Sequence, residues 1–539
     1  MALYTSYSDK RILILDDIPE VRASLRNQVG SLGCENVSVS GTVKDALEQL
    51  RSKTFDVILC DFYLAGGTDG QQFLEFLRNR NIIGRGVLFV MITAEKSYEH
   101  VVTAAECLPD DYLLKPFTAD ALQLRLERLL EKKVRLAKVD QLQNKRNWPG
   151  VIAACDEIIS ARDRYLFDVM RIKGNALIQA DRHDAAVAFY EEMLAIRPMP
   201  WARLGLARAL HLQGDRDRCK TTLNQLIGES PRLMAAYDLL GHLHMEMGEA
   251  DAAMAVLDSA CVISPNSLAR HRAIAAVAEE KGDFSRVEEA LDKVIKKTRN
   301  SPLRETADFA RLGNALTEMG APARAVAMLE EVRTAFKEDA YNPQLAAVEA
   351  LAQHKAGNPE KAAAALARAL QSDSASLPEA VAMTLAKACL ATGKADEGNA
   401  ILKKLVQTNP DSKALHARIT TVMGEHGEAD MADKLVRDSI AEVIQLNNEA
   451  VRRAQAGELP QAAAMLAEAA QRLPGNLQIA ANAAAALYYD ILQNKMDGAK
   501  LRLAQGFQQI VEAKRPDHPK LTEIAELLNR IRRKYGQVK

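Results

Sequence analysis

A glycine that returns about every 34 residues limits what this chain can fold into more than any other feature. Gly214, Gly248, Gly282, Gly320, Gly357, Gly393, Gly427 and Gly457 stand 34, 34, 38, 37, 36, 34 and 30 residues apart, and Asp181 and Asn147 hold the same place upstream. Each marker opens a short turn such as Asp215-Arg216 or Asn358-Pro359. Five residues after the glycines comes a small or β-branched residue: Cys219, Ala253, Val287, Ala325, Ala362, Gly398, Ala432 and Ala462. Seventeen residues after Asp181, Gly214, Gly248, Gly393 and Gly457 lies a proline: Pro198, Pro231, Pro265, Pro410 and Pro474. Glycine lets the chain reverse between two antiparallel helices, the small residue lets them approach, and proline stops the second one. Such a pair cannot bury its apolar faces alone, so successive pairs must stack.

This helix–turn–helix period resembles the tetratricopeptide repeat over roughly residues 140–515, as about ten units, several of them degenerate. The resemblance implies an α-solenoid, a right-handed superhelix whose long concave surface binds peptides or proteins and which has no catalytic centre of its own. The extra residues between Gly282 and Gly357 are placed in inter-repeat loops.

The N-terminal part has a different pattern. Arg11-Ile12-Leu13-Ile14-Leu15 ends in Asp16-Asp17, and Phe55-Asp56-Val57-Ile58-Leu59-Cys60 ends in Asp61. Val87-Leu88-Phe89-Val90-Met91-Ile92 ends in Thr93-Ala94, and Tyr112-Leu113-Leu114 ends in Lys115-Pro116-Phe117. Apolar runs of this length read as buried strands. Open α/β sheets bind ligands at the C-terminal ends of such strands. Three carboxylates in one crevice require a cation, and a hard divalent ion held by oxygens is the natural one. The set is a phosphoryl-accepting site. Asp61 is the nucleophile, Asp16, Asp17 and Asp61 hold Mg²⁺, Lys115 neutralises one phosphoryl oxygen, and the Thr93 hydroxyl bonds another.

These residues resemble the receiver domain of two-component response regulators over roughly residues 9–130. The resemblance implies a flavodoxin-like (βα)5 domain, Mg²⁺, and phosphoryl transfer to Asp61 from a histidine kinase or phosphotransfer protein. It also makes the Tyr63 backbone carbonyl a metal ligand and the Ala94 backbone a phosphoryl contact, and it gives Thr93 and Tyr112 the switch role. The loop after the acceptor departs from the family. It reads Leu64-Ala65-Gly66-Gly67 where Met-Pro is usual, and is one residue longer before Gly70, which bears on loop geometry and phosphoryl lifetime.

Composition agrees with this α/β plus all-α reading. With 70 basic and 71 acidic residues, net charge −1, no electrostatic case exists for nucleic acid or membrane partners. Aromatics are 5% against 48% apolar residues, so alanine and leucine must form closely packed helical cores. Seven dispersed cysteines without a Cys-x-x-Cys pair read as reduced, and neither a signal peptide nor a membrane-spanning run is visible, so a cytoplasmic protein is expected.

The expected organisation is a receiver over 1–130, a linking helix over 131–146, repeats over 147–515 and a capping helix over 516–539. From an N-cap at Thr118, a helix carrying Leu122, Leu126, Leu129 and Leu136 runs towards Asn147 without glycine or proline, and reads as a stiff rod. Other candidates carry less. His242 and His244, two apart on a helix, face different ways and read as surface or core residues rather than metal ligands. Arg171 and Asn175 lack further donors for a carboxylate clamp at Leu204 and Gly205. Arg530-Ile531-Arg532-Arg533-Lys534 reads as a solvated helix end.

The function expected is that of a non-enzymatic adaptor. Phosphorylation of Asp61 would rearrange the face around the receiver's fourth helix, fifth strand and last helix, and so alter access to a protein target on the repeats. A homodimer is one arrangement compatible with this. The alternatives are a constitutive scaffold whose receiver is only a phosphate sink or docking module, and autodephosphorylation as the main output, with Tyr63 and Glu95 flanking the approach of water.

Overall fold

A computed structural model of the chain describes residues 7–64, 69–94, 109–299, 304–335, 342–371, 377–515 and 518–535. They form two compact units, Met1–Asp308 and Phe309–Lys539.

The first unit opens with β1 (Arg11–Leu15), α1 (Pro19–Ser31), β2 (Asn36–Ser40), α2 (Val43–Ser52), β3 (Val57–Asp61), α3 (Gly70–Asn79), β4 (Leu88–Thr93), β5 (Asp111–Leu114) and α4 (Ala119–Asn144). The strands make one parallel sheet in the order β2-β1-β3-β4-β5, the flavodoxin-like order. Apolar side chains of β1, β3 and β4 point alternately into two cores. Ile12, Ile14, Val57, Leu59, Val90 and Ile92 meet α1 and α4, whereas Leu13, Leu15, Ile58, Cys60, Phe89 and Met91 meet α2 and α3. Burial on both faces is why these strands read as unbroken apolar runs. β2, Asn-Val-Ser-Val-Ser, is an edge strand and mostly half-buried, so it has no such run and the sequence reading did not single it out.

α4 belongs to two cores. Leu122, Leu126, Leu129 and Leu130 pack under the sheet. Leu136 and Val139 pack with Val151, Cys155 and Val169 of the first repeat helices. Thr118 caps its start by accepting from the Ala121 N–H at 3.2 Å. Its end differs from expectation. The residue in left-handed conformation is Arg146, φ 52°. Asn147, expected to hold that place, instead caps the next helix, Trp148–Ser160, by accepting from the Gly150 N–H at 3.1 Å.

Among the described residues four helix pairs follow in the first unit: Leu166–Gln179 with His183–Ile196, Pro200–Gln213 with Arg216–Glu229, Met234–Glu246 with Ala250–Ile263, and Leu268–Glu280 with Phe284–Thr298. Gly214, at φ 85°, makes its reversal without the Cβ penalty, and Asp181 makes the equivalent one at φ 56°. The small residues five positions on, among them Cys219 and Ala253, are wholly buried. Tyr190 packs against Gly174 and Gly205, where a Cβ would lie 2.4 and 2.3 Å from its ring and hydroxyl atoms.

In the second unit the helices run from Thr306–Glu318, whose first three residues fall in the first unit, through Pro322–Ala335 to Leu477–Gln493 and Gly498–Lys514, and end in Leu521–Tyr535. The spacing of 30 residues between Gly427 and Gly457 has a structural cause. Ala429–Gln455 is one helix of 27 residues that serves as the second helix of one repeat and the first of the next. The position seventeen after Gly427 is Ile444, not proline, so nothing stops the helix.

Candidate functional site: a carboxylate pocket at the strand ends

β1 and β3 are hydrogen-bonded neighbours, so the acids that end them converge. Asp16, Asp17 and Asp61 each offer a carboxylate oxygen within 4.8 Å of the others. Asp16 is fully buried and Asp61 is 8% exposed. Asp16 is held by the Ile18 N–H, which donates to Oδ1 at 2.9 Å, and the Arg22 guanidinium donates to its backbone carbonyl at 2.5 Å. Asp61 Oδ1 accepts from the Phe62 N–H at 2.9 Å.

Lys115, one residue past β5, reaches both acids. Its Nζ lies 2.9 Å from Asp16 Oδ2 and 3.2 Å from Asp61 Oδ1. The β4–β5 register fixes this reach, since the Lys115 N–H donates to the Thr93 carbonyl at 2.7 Å. Burial pushes the Asp61 carboxyl above its ordinary range, with the Lys115 ammonium opposing that and the Asp16 carboxylate adding to it. Burial works against the Lys115 charge, but the bond to Asp16 and the fields of Asp61 and Asp16 outweigh it and raise its pKa. One ammonium against three carboxylates leaves the pocket short of positive charge. The donors are all oxygens, which suits a hard ion such as Mg²⁺.

The remaining expected residues surround this pocket. Thr93 is buried at the end of β4, and Ala94 follows it on the surface. Tyr112 on β5 packs against the core shared with α2 and α3. Tyr63 is half exposed and pairs with Asp69 in an isolated antiparallel bridge after β3. Ala65 to Thr68, Glu95 and the receiver's fourth helix lie outside the described residues.

Two supports were not read from the sequence. Gly70 opens α3 so close to β3 that a Cβ there would lie 2.4 Å from the Asp61 carbonyl oxygen and 2.7 Å from Met91 Sδ. Asp69 and Gln72 form a capping box, the Gln72 N–H donating to Asp69 at 2.7 Å and the Asp69 N–H to Gln72 at 3.3 Å. The Asp-x-x-Gln spacing was a legible signal for it. Arg171 is exposed, with Asp168 at 3.9 Å, and Lys534 donates to the Leu492 carbonyl at 2.7 Å from the last helix turn.

The profile described as the response regulator receiver domain matches residues 12–127. Over 122 residues the chain is 30% identical to the chemotaxis protein CheY of Pseudomonas aeruginosa, spanning 23% of this chain and 97% of that protein. The chain belongs to the response-regulator receiver family. CheY-3 of Vibrio cholerae is likewise 30% identical over 122 residues, 23% of this chain and 92% of that protein. The solved Francisella response regulator 1452 receiver domain is 27% identical, covering 23% of this chain and 98% of that one at a TM-score of 0.21. Tetratricopeptide-repeat profiles match residues 177–243, 235–267 and 353–419. This response regulator therefore carries a receiver domain at its N-terminus and tetratricopeptide repeats in its C-terminal region. Among the described residues, no helix is long and apolar enough to cross a membrane.

Proposed function

We propose that Asp61 accepts a phosphoryl group from a histidine kinase or phosphotransfer protein, and that the repeats pass the change on by binding a protein target. The observation that carries this is Lys115 Nζ bridging Asp16 and Asp61 beside Asp17. In the reaction an Asp61 carboxylate oxygen attacks phosphorus, the donor's P–N bond breaks, and the imidazole leaves. Lys115 then neutralises a phosphoryl oxygen while Thr93 and the Ala94 N–H bond others. Asp16, Asp17, Asp61 and the Tyr63 carbonyl are the proposed Mg²⁺ ligands; the ion supplies charge neutralisation.

Two physical routes lead from this pocket to the repeats. One is α4, whose side chains sit in both cores, reinforced by the ion pairs Lys132–Asp168 and Arg135–Asp163, each at 2.6 Å. The other is the acceptor-loop side. Phe62, Asp69, Gln71, Gln72 and Glu75 line one small cavity with Asn266, Ser267 and Leu268 at the start of a repeat helix. Lys297 donates to Asn266 there. Burial holds its ammonium below the ordinary range, and the field of Asp69 opposes that shift. Phosphorylation acts by favouring one of two arrangements of these contacts.

The test is phosphorylation of the full chain by a phosphodonor with Mg²⁺, then capture of binding partners with and without beryllofluoride. Labelling that disappears in Asp61→Asn, with a partner set that changes on beryllofluoride, supports the reading. Labelling with unchanged partners and affinities would leave a constitutive scaffold whose receiver is a phosphate sink.

A further inference from the structure

His242 is not an isolated surface histidine. It lies on the helix Met234–Glu246, one turn before Glu246, and its Nε2 is 3.1 Å from Glu246 Oε1. From the equivalent helix of the preceding repeat, Pro200–Gln213, His211 brings its Nε2 to 3.6 Å from the same oxygen. The two imidazole rings meet edge to face with centroids 5.7 Å apart. Two ring nitrogens and one carboxylate oxygen thus converge, all within 4.8 Å of one another.

Those spacings match the requirements of a first-row metal. Nitrogen and oxygen ligands at about 2.0–2.2 Å in tetrahedral array stand roughly 3.4 Å apart, and the two donor gaps to Glu246 are 3.1 and 3.6 Å. His211 is also not committed elsewhere. Among the described residues its Nδ1 is buried without a hydrogen-bond partner and its Nε2 makes only the long approach to Glu246. His244 takes no part. It is buried on another side of the helix, with Nδ1 2.5 Å from Glu249 Oε2.

We propose that His211, His242 and Glu246 bind one Zn²⁺-class ion between adjacent repeats, with its remaining position open to water or to a donor side chain of the bound partner. Two imidazoles and one carboxylate favour Zn²⁺ over Mg²⁺, which prefers an all-oxygen shell. The site is chemically distinct from the receiver's carboxylate pocket and does not depend on that pocket's role.

The experiment uses the full chain stripped of metal, with Mg²⁺ present in excess to occupy the receiver pocket. Zn²⁺ is titrated against a fluorescent chelator, and Co²⁺ is added separately to read ligand-field absorption. The wild type is expected to bind one Zn²⁺ more than His242→Ala or Glu246→Gln, and to give a Co²⁺ spectrum that both variants lose. Removing one ligand should weaken binding at least about tenfold, the lower bound for perturbing even an outer-shell partner. His242 is exposed, so its removal leaves the helix core intact, and matching thermal midpoints without metal would verify this. Equal Zn²⁺ affinity in the wild type and both variants, or no Co²⁺ spectrum in the wild type, would overturn the site.

Discussion

At the residue scale, the pocket is built by groups whose energetic roles differ from their sequence appearance. Gly70 reads as a loop residue, yet its hydrogen faces the Asp61 carbonyl at a distance no Cβ can occupy. Gly70→Ala should cost about 1–3 kcal/mol by overpacking, and phosphorylation should slow more than in a surface Gly→Ala control. A denaturation curve and a labelling time course check both parts. Arg270 is the opposite case. An arginine on an amphipathic helix reads as solvated, but here its side chain is fully buried, bonded to Asp238 at 2.8 and 3.1 Å and to the Ser264 carbonyl at 2.8 Å. Asp238→Ala would strand that charge, at about 2–4 kcal/mol, less than for a wholly buried pair because Asp238 reaches solvent. Its neighbour His271, whose Nε2 lies 2.8 Å from the Pro265 carbonyl oxygen, has its pKa lowered chiefly by burial. A depressed histidine pKa leaves stability complete above the ordinary value of 6.5 and removes it as pH falls through the folded value. The thermal midpoint should therefore fall on acidification below that point, and His271→Asn should flatten the fall.

At the element scale, α4 decides how the receiver and the repeats are joined. Its leucines at 122, 126, 129 and 130 serve one core, and Leu136 and Val139 serve the next. Glu131 lies between these sets. A proline there removes a backbone donor and clashes with the preceding turn, at about 3 kcal/mol or more. Glu131→Pro should leave phosphorylation of Asp61 measurable while uncoupling it from partner binding. Loss of labelling and coupling together would mean that the receiver core itself had come apart. Helix ends were less legible than helix bodies. Asn147 kept the repeat spacing but became a cap, because an arginine one residue earlier took the left-handed turn.

At the scale of the whole molecule, the repeat array does not divide where the composition changes. The first compact unit runs through the receiver into the repeats as far as Asp308, so contacts around the acceptor loop and along α4 lie inside one unit. Hydrogen exchange with and without beryllofluoride should show altered protection in α4 and in Asn266 to Leu268. Protection changes confined to the receiver strands would exclude both routes. The strand ends, their acids, the lysine and the repeat period were legible because each repeats a local physical rule: strands buried on both faces are apolar throughout, and the reversal between antiparallel helices favours glycine. The acceptor-loop cavity, the Tyr190 contacts with Gly174 and Gly205, and the His211–His242–Glu246 cluster were not. The sequence by itself determined the repeat period, four of the five strands, and which acids, hydroxyl and ammonium stand at their ends. Only the tertiary structure decided which distant side chains meet, because burial and donor distance depend on how neighbouring helices pack, and no spacing along the chain encodes that.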